Sequence, residues 1–61
     1  MLIDLALAKL DPIVGSAFAG RVTQQEIIAW AKLDFLKVRE VAEFMRLGYS
    51  FREAYQLAVS R

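Results

Sequence analysis

Between Thr23 and Tyr49, apolar side chains recur every three or four residues, the spacing that gathers them on one side of an α-helix. Stepping about 100° per residue puts Ile27, Ile28, Trp30, Ala31, Phe35, Val38, Val41, Ala42 and Met45 on one broad arc. Within it, Ile28, Ala31, Phe35, Val38, Ala42, Met45 and Tyr49 keep an unbroken 3-4 spacing, as at the seam of a helical bundle. The opposite side carries a thinner stripe of Ala29, Leu33, Leu36, Phe44 and Leu47, interrupted by Glu40. No Gly or Pro falls between Thr23 and Leu47, and Asp34/Lys37, Arg39/Glu43 and Glu43/Arg46 are spaced to pair along a helix. The pattern predicts one central helix over about 24–47, roughly 36 Å long at 1.5 Å per residue.

Local signals mark its ends. Thr23 and Glu26 form a capping box, in which the hydroxyl accepts from the Glu26 N–H and the carboxylate accepts from the Thr23 N–H. Gly48 stands where a left-handed residue closes a helix. A second box, Ser50 with Glu53, opens a last helix over about 51–60 with Phe51, Ala54, Tyr55 and Ala58 on one face. Upstream, Ile3, Ala6, Leu7 and Leu10 predict a short helix from Met1 to Leu10. Asp11-Pro12 predicts a break there, and Ile13, Val14, Ala17 and Phe18 a second short helix ended by Gly20. The expected fold is all α, a single domain over 1–61. Its core is a small hairpin of the long central helix and the C-terminal one, preceded by one or two short N-terminal helices.

Composition sharpens this into an expectation about assembly. Apolar residues make up 57% of the 61, above the roughly 45–50% of ordinary domains, and the formal net charge is +1. Domains this small commonly recruit disulfides, a metal or partner subunits. The chain has no Cys and no His, so partner subunits are the remaining route. The same absence leaves no catalytic, cofactor-binding or metal-binding residue to name, and the expected protein is not an enzyme and uses no cofactor.

The first twenty residues are apolar enough to raise a membrane role, and Ala17-Phe18-Ala19 imitates a signal-peptidase site. Asp4, Lys9 and Asp11 fall inside that stretch, each costing roughly 2.5–3.5 kcal/mol in a bilayer centre, and no basic segment precedes it. Neither a signal peptide nor a spanning helix is expected, any membrane contact being interfacial. Compartment is not encoded, a cytoplasmic or virion-associated setting being the weak default.

The expected contact residues are Ile28, Phe35, Val38 and Met45 on the seam, Leu33, Leu36, Phe44 and Leu47 on the second stripe, and Tyr49 at the corner. Asp34 lies inside the main arc, with two readings open. It selects pairing register as a polar group in a seam, or it is an edge residue paired with Lys37. The aromatic residues recur at helical spacing and read as core rather than as base-stacking platforms. The basic residues are interleaved with acids, without the one-sided basic stripe of a nucleic-acid reader. Residues 38–57 depart from the helix-turn-helix pattern, because Gly48 lies six residues after Ala42 where that family has about four.

The segment Phe44-Met45-Arg46-Leu47-Gly48-Tyr49-Ser50, followed by Glu53-Ala54 and Ala58, resembles the first turn of ubiquitin-associated domains. Leu47-Gly48-Tyr49 matches their helix-ending loop, and Ala54 the alanine six residues past the glycine. The resemblance implies a protein-binding patch at Leu47, Gly48 and Tyr49, and with it a regulatory module as the alternative function. A second alternative is a dimeric nucleic-acid binder, similar in size and hairpin design to the plasmid copy-number four-helix bundle. The preferred expectation is a non-catalytic assembly protein that contacts copies of itself, and another protein besides. A chain of this profile fits a viral or phage structural or accessory component.

Overall fold

A computed structural model describes the backbone of residues 2–60 and their side chains except at 2, 16, 17 and 19. Met1 and Arg61, and the apolar contact expected of Ala17, lie outside the described residues. The fold is all α. Helix α1 spans Leu2–Val14, a 3-10 helix spans Ser16–Arg21, and α2, α3 and α4 span Gln24–Ala31, Phe35–Arg46 and Phe51–Val59.

The predicted break at Asp11 is absent, because α1 continues through Pro12 to Val14. Pro12 sits in the last turn, where it removes one helical N–H bond and its ring crowds the carbonyl of Ala8, a cost the helix carries. The Gly15 N–H still reaches the Asp11 carbonyl at 2.9 Å. Continuing the helix keeps Ala6, Leu10 and Val14, spaced by four, on one buried stripe. The left-handed terminator is Gly15, with φ 83°, rather than Gly20.

The predicted central helix is also two helices, α2 and α3, which turn at Lys32-Leu33-Asp34. The molecule measures 30 × 20 × 19 Å, too short for a straight helix of roughly 36 Å. Both new ends are satisfied. The Asp34 side chain accepts from the Lys37 N–H at 2.9 Å and caps α3. At the end of α2, the Lys9 ammonium donates to the carbonyls of Ala31 and Leu33, the latter at 2.8 Å. A cation there complements the negative end of the helix dipole. The turn also brings the Trp30 indole N–H to 3.1 Å from the Val38 carbonyl. An unbroken helix would hold those residues about 12 Å apart.

Trp30 is the centre of the core. It is 1% exposed, with the Phe18 ring edge-on at 5.9 Å and the Phe51 ring tilted at 5.6 Å. Around it pack Leu10 and Val14 from α1, Ile27 from α2, Val38, Val41, Ala42 and Met45 from α3, and Ala54 and Ala58 from α4. No buried side-chain nitrogen or oxygen lacks a partner among the described residues.

Between α3 and α4 the predicted corner is present in full. Gly48 has φ 109°, its N–H donates to the Met45 carbonyl at 3.0 Å, and the Tyr49 N–H donates to the Phe44 carbonyl at 3.2 Å. These two bonds form a Schellman motif, and the Phe44–Tyr49 ring contact at 5.8 Å supplies its apolar clasp. Both predicted capping boxes form, at Thr23/Glu26 and Ser50/Glu53. Helix α4 folds back antiparallel to α3, so the Lys37 ammonium at the start of α3 donates to the Ala58 carbonyl at 2.7 Å near the end of α4. Lys37 thus serves α4 as Lys9 serves α2.

Candidate interaction surface

Helix α3 is amphipathic in a way that leaves a defined outer surface. Val38, Val41, Ala42 and Met45 face inward and are at most 3% exposed. Phe35, Leu36, Arg39, Glu43, Arg46 and Leu47 are all exposed, and by helical geometry they occupy one arc of about 120°. Half-buried Lys37, Glu40 and Phe44 separate that arc from α4.

Large apolar side chains stand at both ends of the arc, Phe35 (55% exposed) and Leu36 (68%) at its start and Leu47 (74%) at its end. Charges fill the middle. Arg46 bonds Glu43 at 2.8 Å, so Glu43 is held by Arg46. The Arg39 guanidinium lies over the Phe35 ring at 5.7 Å. Arg46 and Arg21 lie over the Phe18 ring at 5.7 and 5.8 Å, which roofs that edge of the core with cations.

Four expected contact residues, Phe35, Leu36, Leu47 and Tyr49, are exposed. Ile28, Leu33 and Phe44 are half-buried against the core. Val38 and Met45, at 0% and 3%, belong to the protein's own core and present nothing to a partner. The turn frees α3 to bury the side centred on Val38, Val41 and Met45, and Phe35, about 60–80° round the same helix from Val38 and Met45, is left at the exposed edge. Asp34 is not in a seam at all. It is an exposed N-cap, joined to Lys37 through the backbone N–H.

Other surface features lay outside the sequence expectations. Tyr49 and Leu57 line a shallow depression on α4 with Glu53, Gln56 and Ser60. A wider groove of about 450 Å³ separates α2 from α4, with Ala29, Phe51 and Tyr55 in it and Thr23, Gln25, Glu26, Arg52 and Gln56 beside them. The spacing of Tyr55 and Gln56 places them on neighbouring positions of α4, but only the fold sets α2 opposite.

The eight-residue α2, a three-residue turn and α3 have the connectivity of a helix-turn-helix, one helix before residues 38–57. The start of α3, which such a unit inserts into a groove, carries Asp34, Phe35 and Leu36 rather than donors for phosphates or bases. Among the described residues, no three His, Cys, Asp or Glu side chains group to hold a metal ion, and no helix is long and apolar enough to cross a membrane. No protein-family model, curated protein or solved structure matches the chain.

Proposed function

We propose that the protein is a non-catalytic assembly subunit that acts through contacts with copies of itself and with larger protein structures, a viral or phage accessory component being one such setting. The observation that carries this reading is the outer arc of α3. Phe35, Leu36 and Leu47 stand exposed on a helix whose opposite side already completes the core. The core does not require them, so their burial is available to a partner. Replacing both leucines tests it. Wild-type protein should gain mass with concentration, and Leu36→Glu/Leu47→Glu should remain monomeric with unchanged helicity. Equal association of the two proteins would remove α3 from the assembly.

A second reading has its own observation. The Schellman corner holds Leu47 and Tyr49, 74% and 41% exposed, on either side of a conformationally restricted Gly48. Such a corner suits a regulatory module that grips a partner protein. Tyr49→Ala together with Leu57→Ala would weaken partner capture under this reading and leave self-association intact. The nucleic-acid alternative draws no comparable support, given the apolar start of α3. The assembly reading expects no binding to duplex DNA or to RNA even at low salt, and salt-sensitive retention of either would favour the nucleic-acid alternative.

A further inference from the structure

The outer arc of α3 is self-complementary when read backwards. From start to end it runs apolar (Phe35, Leu36), positive (Arg39), negative (Glu43), positive (Arg46), apolar (Leu47). We infer that two copies pair through this arc with their α3 helices antiparallel, about a two-fold axis at the level of Val41. The inference rests on the assembly reading and names its partner as a second copy of this chain.

An antiparallel pairing about that level sets each residue opposite the one equally far from Val41 on the other side. Arg39 then faces the Glu43 of the second copy, and Leu36, on the same flank of the arc as Leu47 and within one residue of its level, meets the second copy's Leu47. The two-fold repeats both contacts. Such an axis also brings the same flank of each helix together, as isologous interfaces do. Arg39 and Glu43 lie within about 20° of the midline of the arc, one to each side, so they meet across the centre of the seam. Glu43 can accept both cations, because Arg46 of its own helix takes Oε1 and a carboxylate has a second oxygen. Glu40 is directed toward α4, where Lys37 lies at 3.6 Å, and does not oppose an acid across the seam.

Parallel pairing fails on the same residues. It would set Arg39 against Arg39 and Glu43 against Glu43, and like charges in register disfavour association. The seam is also short. Twelve residues extend about 18 Å, and one helix face covers less than the roughly 800 Å² per partner of standard interfaces. A reversible dimer, weakened by salt, is therefore the form expected.

Charge reversal separates this geometry from general stickiness. Sedimentation equilibrium should show a concentration-dependent dimer for the wild type. Arg39→Glu and Glu43→Arg should each weaken it by at least about tenfold, and the double swap Arg39→Glu/Glu43→Arg should recover most of that loss. Circular dichroism on every variant checks that the fold persists, which exposed side chains permit. A wild type that stays monomeric overturns the assembly reading and the seam together. A wild type that associates while both single reversals leave it unchanged, or a double swap no better than the singles, overturns the seam alone.

Discussion

Trp30 shows how a single side chain sets the fold of the chain around it. Its ring is enclosed between Phe18 and Phe51, and its one polar atom is satisfied by the Val38 carbonyl across the α2–α3 turn. Trp30→Ala should cost about 3–5 kcal/mol, the range for large-to-small aromatic substitutions, and unfold a domain of this size at room temperature. Trp30→Phe keeps most of the volume and removes the hydrogen bond, so a loss of about 1–3 kcal/mol is expected from denaturant titration. Asp34 acts at the same scale. As an N-cap its replacement by Ala or Leu should lower stability by about 1 kcal/mol, and the association state should not change. A shift in oligomer number for Asp34→Leu would return the residue to the register-selecting role considered from sequence.

At the level of the element, the helix ends written in neighbouring residues were legible and those made by distant ones were not. Thr23/Glu26, Ser50/Glu53 and Gly48 are local signals, and each marks an observed boundary. The turn at 32–34 contains no Gly or Pro. Its causes are Lys9, more than twenty residues upstream, and the indole bond to Val38, and neither has a local signature. The one available hint was Asp34 itself, a residue that favours caps over helix interiors. Pro12 is a local break signal that the fold overrides, since burial of the core stripe through Leu10 and Val14 outweighs the lost backbone bond and the crowding of the ring. The corner offers a clean check on the helix-ending geometry. Gly48→Ala forces a side chain into φ 109° and should cost about 1–2 kcal/mol, although no atom lies where the new Cβ would stand. A neutral result would show that the Schellman corner relaxes freely.

For the molecule as a whole, the expectation that the chain needs a partner to cover its core requires revision. Its accessible surface is 4145 Å², close to the roughly 4,000 Å² of a compact folded monomer of this mass. The core is closed by the chain's own four helices and 3-10 segment. Among the described residues, large apolar side chains stay exposed on α1 (Leu5), at the corner and on α4 (Tyr49, Leu57, Val59) and, three together, on the α3 arc, which was only half visible in sequence. Leu36 and Leu47 belonged to the second stripe as read from helical phase, whereas Phe35 joined them only once the turn freed α3 to bury the side centred on Val38, Val41 and Met45. An assembly that binds the folded state alone raises thermal stability with concentration. The melting temperature should therefore climb as concentration is raised a hundredfold for the wild type and stay flat for Leu36→Glu/Leu47→Glu. Absolute mass by light scattering, followed from low micromolar to millimolar protein at low salt, puts the question most directly. The mass should rise from that of one chain toward that of two, and a value fixed at one chain over the whole range would contradict an assembly role.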